Sequence, residues 1–109
     1  MLHSNLPEPQ LLKVLLEPLL DDFQDWFSRA QSLLRTEVMP FLEVADQQAL
    51  LSRVDAALND VVATQSLFRA TEGQVGVDTH VLMQWHTLLM ECWQVAHHYR
   101  LSKSNGCHT

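Results

Sequence analysis

Glycine and proline are scarce in this chain: three glycines and four prolines occur among 109 residues. A β-rich fold needs many tight turns, so this scarcity argues against one. Long apolar runs are also lacking, and no stretch approaches the roughly 18 apolar residues of a membrane-spanning helix. The first residues carry neither the basic nor the apolar segment of a signal peptide. We therefore expect a cytoplasmic protein with no membrane span.

Cysteine is nearly absent, because only Cys92 and Cys107 occur. Two cysteines do not make a disulfide framework. Cys92 falls in an apolar helical pattern, which predicts a buried and inert thiol. Cys107 lies in a polar tail, which predicts an exposed thiol. We therefore expect a protein of a reducing compartment without a disulfide bridge.

Basic residues are few, and the formal net charge is −6. Residues 1–60 carry ten acidic and four basic side chains, whereas residues 61–109 carry three of each. Because no basic run is present, the chain lacks the electrostatic footprint of a nucleic-acid-binding protein. It also lacks a polybasic anchor for anionic lipid. We expect no nucleic acid among its partners.

Known catalytic motifs are missing as well. The chain has no glycine-rich phosphate loop before a helix and no His-Glu-x-x-His run. It also has no Gly-x-Ser-x-Gly elbow. Gly73 and Gly76 lie too close together for dinucleotide binding, and a helix stop followed by a turn explains them better. Of the functions that we considered, an enzyme has the least support.

The apolar residues that are present recur at steps of three or four, which is the spacing of one helix face. The first predicted stripe is Leu12, Leu15, Leu16, Leu19, Phe23, Phe27, Ala30 and Leu34. The second is Leu50, Leu51, Val54, Ala57, Leu58, Val61 and Phe68. The third is Val81, Trp85, Leu88, Leu89, Cys92, Val95, Ala96 and Tyr99.

Three such helices predict an all-α fold, an antiparallel three-helix bundle, because this arrangement buries all three stripes most simply. We expect a single helical domain over residues 1–109, with flexible tails at 1–6 and 102–109. Pro18 removes one helical hydrogen bond and crowds the carbonyl of Val14. The first helix is therefore predicted to be kinked or split near Pro18.

Polar and glycine-containing segments predict the connections, at residues 37–44 and 71–77. Asp46 is a candidate N-cap for the second helix, and Asp78 or Thr79 for the third. A weak second candidate site lies around the later connection, because loops often carry function and glycine permits positive φ. Its residues are Phe68, Arg69, Glu72, Gly73 and Gly76. The alternative is a structured helix C-cap.

The third predicted helix holds four of the six histidines. His80 and His98 fall opposite the apolar stripe, on the predicted solvent face. Between the two faces lies a row that we call the α3 flank, formed by His86, Met90, Trp93 and His97. Trp93 and Met90 can be the periphery of the core, which is the commonest use of Trp and Met, with both histidines partly solvated. The four residues can also be a docking surface, since Trp and Met are enriched at protein interfaces.

Metal binding has little support in the same segment. His97 and His98 are adjacent, so on a helix they point about 100° apart and cannot chelate one ion. We assign no metal site and no cofactor. Haem ligation needs only one or two side chains, so a haem, bilin or metal held by His86, His97 or Cys92 stays an alternative.

Several segments resemble a small cyanobacterial family of unknown function. They are Asn-Leu-Pro-Glu-Pro at 5–9, Leu-Leu-Glu-Pro-Leu-Leu-Asp-Asp-Phe at 15–23, Leu-Phe-Arg-Ala-Thr-Glu-Gly-Gln-Val-Gly at 67–76, and residues 85–96. The resemblance covers residues 5–101. It implies a cyanobacterial cytosolic setting and carries over no catalytic or ligand residues.

These observations lead to two functional expectations. The first is a non-catalytic interaction, assembly or regulatory protein that docks a protein partner or a second copy of itself through the α3 flank. The alternative is a cofactor-binding helical bundle that uses the histidines or Cys92 of the third helix.

Overall fold

Three long α-helices make up the fold. The computed structural model describes the backbone of residues 8–74 and 77–107 and the side chains of residues 14–74 and 77–103. Helix α1 spans Glu8–Thr36, α2 spans Val44–Ala70 and α3 spans Thr79–Cys107. No strand occurs in these backbone ranges. The predicted all-α class with three helices is confirmed. The tail at residues 1–6 lies outside the described part of the chain.

The helices follow one another up, down and up. Asp21 on α1 contacts Gln65 on α2, and Arg35 contacts Asp55, so residue numbers rise along α1 as they fall along α2. Helix α3 runs antiparallel to α2 and parallel to α1. Phe23 packs against Trp85 with ring centroids 5.6 Å apart, and Trp26 packs against Trp93 at 5.5 Å. This order is the one expected for the bundle.

All three helices contribute to one core, and α1 packs mainly against α2. Its buried apolar residues in the described chain are Leu16, Leu20, Phe23, Phe27, Leu34, Met39, Leu50, Val54, Ala57, Val61, Phe68, Trp85, Leu88, Leu89 and Cys92. The second and third predicted stripes agree with this set, apart from members that are only half-buried. Cys92 is buried, as its position in the pattern predicted.

The first stripe needs a correction at its N-terminal end. Leu15, which we expected in the core, is 58% exposed, whereas Leu20 is fully buried. Leu15 lies about 100° around α1 from the buried Leu16, so it falls at the edge of the buried stripe rather than on it.

Helix α1 continues through Pro18 as a single helix, so the predicted split is wrong. Pro18 lies on the exposed side, where water can hydrogen-bond the carbonyl that proline leaves without a donor. Leu16 and Leu20, on either side of it, are buried and hold both halves of the helix against the core. A bend at Pro18 stays a prediction.

One side chain of α2 organises the connection that follows α1. Gln47 accepts a hydrogen bond from the amide of Met39 at 3.0 Å. Its amide nitrogen donates to the carbonyls of Leu34, at 3.0 Å, and Glu37, at 2.7 Å. The last carbonyls of a helix have no partner within it. Gln47 therefore supplies a donor that the end of α1 lacks.

The helix ends correct two boundary predictions. The N-cap of α2 is Glu43, which makes no side-chain capping bond, so Asp46 is not the cap and lies in the first turn. Asp78 does cap α3, because its Oδ1 accepts a hydrogen bond from the amide of His80 at 2.9 Å. Helix α3 continues to Cys107, six residues beyond Leu101, through residues that we assigned to a tail.

Candidate functional site

The four residues of the α3 flank lie on one helix and are all exposed. Met90 is 39% exposed and Trp93 is 45% exposed. His86 and His97 lie one turn before Met90 and one turn after Trp93, respectively. The structure therefore brings the four residues together as a row on the surface, and their apolar members remain partly open to solvent.

Met83 belongs to the same row, and our sequence analysis missed it. Met83 is 59% exposed and lies three residues before His86, so it extends the flank by one turn. The row from Met83 to His97 then covers about 21 Å along the helix axis. The spacing of three residues was visible in the sequence and could have identified Met83.

Trp93 is anchored to the core by a chain of aromatic contacts. Its ring meets that of Trp26 edge-on, at 5.5 Å and 77°. Trp26 in turn contacts Phe23 edge-on at 6.3 Å, and Phe23 contacts Trp85. Such edge-to-face pairs are favourable beyond the area they bury. Trp93 is consequently held by packing on one side while the other side stays accessible.

A groove between α1 and α3 opens beside Trp93. We call it the α1–α3 groove; its volume is about 330 Å³. Its apolar walls include Trp26, Leu33 and Leu34 of α1 and Cys92, Trp93 and Ala96 of α3. Arg29 and Arg100 also line it and are exposed. The sequence does not reveal this groove, because it depends on how α1 and α3 meet.

Cys92 borders the groove but is poorly suited to chemistry. Burial raises the pKa of its thiol to about 11, and the neighbouring Glu91 carboxylate adds to the effect. The thiolate is the form of cysteine that attacks electrophiles and binds metals. At neutral pH Cys92 is therefore a protonated thiol that packs as a small apolar side chain.

The histidines of α3 are spread over its surface. His80, His86, His97 and His98 are all exposed, so the predicted solvent positions of His80 and His98 are confirmed. The ring of His98 lies 5.0 Å from that of Phe41 in the α1–α2 connection. Across the described side chains, no group of three or more His, Cys, Asp or Glu residues is placed to hold a metal ion.

The weaker candidate around the second connection has structural roles. Phe68 is buried in the core, and Arg69 pairs with Asp21 at 3.2 Å. Glu72 and Gly73 have φ of 56° and 80°, and the amide of Gly73 donates to the carbonyl of Phe68 at 2.7 Å. This geometry ends α2, as in the C-cap alternative. Gly76 lies outside the described residues, and a binding role for this segment stays a prediction.

Fold and surface together define an all-α, three-helix protein whose most distinctive surface is on α3. No helix in the described chain is long and apolar enough to cross a membrane. The family described as "Protein of unknown function (DUF2605)" matches residues 6–101, so the chain belongs to this family. The predicted resemblance to a small family of unknown function is thereby confirmed. The chain matches no curated protein and no solved structure.

Proposed function

We propose that this protein is a non-catalytic interaction or assembly protein of the cyanobacterial cytosol, which docks a protein partner or a second copy of itself through the α3 flank. The observation that carries the proposal is the row of exposed Met90 and Trp93 between His86 and His97. Exposed apolar side chains that form a continuous patch mark interaction surfaces, whereas isolated ones do not.

Trp93 has the properties of an interface anchor. A tryptophan buries about 150–250 Å² when fully covered, and tryptophan is enriched among residues that dominate binding energy. Because Trp26 already restricts the ring of Trp93, a partner that covers it loses less side-chain entropy than it would with a free ring. Met90 and Met83 beside it add unbranched, adaptable side chains.

The charge of this surface is compatible with docking. The protein carries a net charge of −6, which opposes close approach of a second copy or of another acidic protein. None of the five residues from Met83 to His97 in the row is acidic. Glu91, on another side of α3, is already paired with Arg53 at 2.6 Å. Interface cores are depleted of charged residues, and the row fits that pattern.

The test combines size-exclusion chromatography and light scattering with a pull-down from the lysate of the host. We expect the wild type to self-associate or to retain a partner, and a Met90→Ala/Trp93→Ala variant to lose that association. A Val62→Ala/Leu67→Ala variant is the matched control, because Val62 and Leu67 are 41% and 51% exposed on α2. A strict monomer whose flank variant keeps every partner contradicts the proposal.

A cofactor-binding bundle is the second candidate function. It would use His86, His97 or Cys92; of these three, only Cys92 borders the α1–α3 groove, and it does so as a protonated thiol. An absorption spectrum and a metal analysis of protein purified from its native host test it. A coloured or metal-containing preparation supports this candidate. A colourless, metal-free preparation that also fails to take up haem rules it out.

A further inference from the structure

The α1–α3 groove has the size of a small-molecule site. Its volume of about 330 Å³ lies near the lower end of ligand pockets, which measure roughly 300–1,000 Å³. A single acyl chain or one ring system fits this volume.

The walls of the groove are apolar and aromatic. Trp26 and Trp93 meet edge-on at 5.5 Å, with Leu33 close by on α1. Pockets of this kind typically combine hydrophobic and aromatic walls with a few polar groups that orient the ligand. The groove therefore suits a ligand with an apolar body.

The polar groups of the groove are both cationic. Arg29 and Arg100 line it, and no acidic residue does, in a chain whose net charge is −6. Arg29 is paired with Asp25 at 3.2 Å. Arg100 takes part in none of the ion pairs found among the described side chains. A guanidinium binds a carboxylate through two parallel hydrogen bonds, so this charge selects an anion.

We propose that the α1–α3 groove binds a small amphipathic carboxylate, with its apolar body against the wall formed by Trp26, Leu33 and Trp93 and its carboxylate on Arg100. Arg29 adds positive charge beside it but shares its guanidinium with Asp25. The inference does not depend on the docking function, although Trp93 belongs to both surfaces. Ligand binding is measured on the isolated protein, so its failure and the failure of partner docking are separate results.

Tryptophan fluorescence of the full chain gives a direct readout, because two of its three tryptophans line the groove. The probe is dodecanoate, titrated below its critical micelle concentration and checked by calorimetry. Dodecanol and dodecyltrimethylammonium provide neutral and cationic heads on the same chain. We expect saturable one-to-one binding of dodecanoate, and weaker binding of the other two.

Variants locate the site. Arg100→Gln is expected to weaken dodecanoate binding by about tenfold, because it removes a charge-assisted hydrogen bond. Arg100→Lys keeps the charge and should retain part of the affinity. Arg35→Gln is the control, since Arg35 is equally cationic but pairs with Asp55 of α2 and does not line the groove. Circular dichroism confirms that each variant is folded before its affinity is compared.

Three results overturn the proposal. The first is no saturable binding of dodecanoate. The second is a failure to recognise the carboxylate. It would be seen as equal binding of the anionic, neutral and cationic probes, or as equal dodecanoate affinity of the wild type and Arg100→Gln. The third is binding to phosphatidylglycerol vesicles without binding to free dodecanoate, which assigns the surface to a membrane.

Discussion

The two sides of α1 differ in how they are used. Towards α2, polar side chains connect the helices along their length: Asp55 accepts from Gln31 at 2.6 Å and pairs with Arg35 at 3.3 Å. Further along, Asp21 accepts from Gln65 and Arg69. Towards α3, the contacts are mainly aromatic, and the groove lies between them. The α1–α2 pair therefore forms a hairpin joined by polar bonds, whereas α3 carries the α3 flank and one wall of the groove.

Helix α3 is nonetheless secured at two places. Arg53 and Glu91 make two hydrogen bonds, at 3.0 and 2.6 Å, which link α3 to α2. The hydroxyl of Tyr99 donates to Glu37 at the end of α1, and that bond raises the pKa of the tyrosine. Between these attachments, the flank and the groove remain accessible. The following substitutions test this division of roles, beginning with the largest expected effect.

Phe27→Ala should destabilise the protein by about 3–5 kcal/mol, as truncations of buried phenylalanines do. Phe27 is fully buried and stacks on Phe23 at 5.9 Å. Trp93→Ala, although it removes a larger ring, should cost less, about 1–3 kcal/mol, because Trp93 is 45% exposed and loses only part of the burial of a core residue. Urea denaturation followed by circular dichroism measures both. Equal losses would show that the α3 side contributes as much stability as the hairpin.

Gln47→Ala should cost about 1–3 kcal/mol, because it leaves backbone groups at the end of α1 without partners. Gln47→Glu should also destabilise, since a carboxylate cannot donate to the carbonyls of Leu34 and Glu37. Gln48→Ala is the matched control at an exposed position and should stay within about 0.5 kcal/mol of wild type. If both alanine variants unfold at the same urea concentration, Gln47 does not have this role.

The thiol of Cys92 predicts a loss of stability at alkaline pH. Its pKa is raised from 9.0 to about 11 in the folded protein, so the unfolded state loses its proton first as the pH rises. The contribution is complete below pH 9 and disappears as the pH rises through 11. Cys92→Ala should flatten the dependence between these values, whatever its effect at neutral pH. An unchanged slope in the variant would contradict the burial of the thiol.

The smallest effect is expected at the link between α2 and α3. The hydrogen bonds from Arg53 hold the pKa of Glu91 below its ordinary value of 4.5. This stabilisation is present above that value and is lost as the pH falls through the lowered pKa. Both side chains are partly exposed, so the pair contributes only about 0.2–1 kcal/mol. A double-mutant cycle of Arg53→Gln and Glu91→Gln at pH 7 measures it, and the coupling should decline as the pH is lowered; no coupling at pH 7 rules out this ion pair.

Helical periodicity was sufficient to predict the fold class and most of the core. It places Trp85, Leu88 and Cys92 on one face of α3, and all three are buried. It fails for Leu15, about 100° around α1 from the buried Leu16, because the width of the buried stripe depends on how neighbouring helices pack. Similarly, Asp46 looks like a cap in the sequence, but α2 begins two residues earlier, at Val44.

The candidate site was predicted only in part, because some of it depends on how the helices pack against one another. The α3 flank follows from spacing within one helix, so its exposure could be anticipated, and Met83 could have been included. The groove needs Trp26 and Arg29 of α1 to meet Trp93 and Arg100 of α3. These residues are more than sixty positions apart, and no local pattern relates them.

Native co-purification tests the docking role of the α3 flank most directly. Tagged wild type and tagged Met90→Ala/Trp93→Ala are purified in parallel from the host, and their bound proteins are quantified by mass spectrometry. The account predicts at least one stoichiometric partner, or an untagged second copy, that is present with the wild type and lost from the folded variant. Identical sets of proteins bound to both forms would contradict this role. So would the absence of bound protein from both forms, if the wild type also has the mass of a monomer.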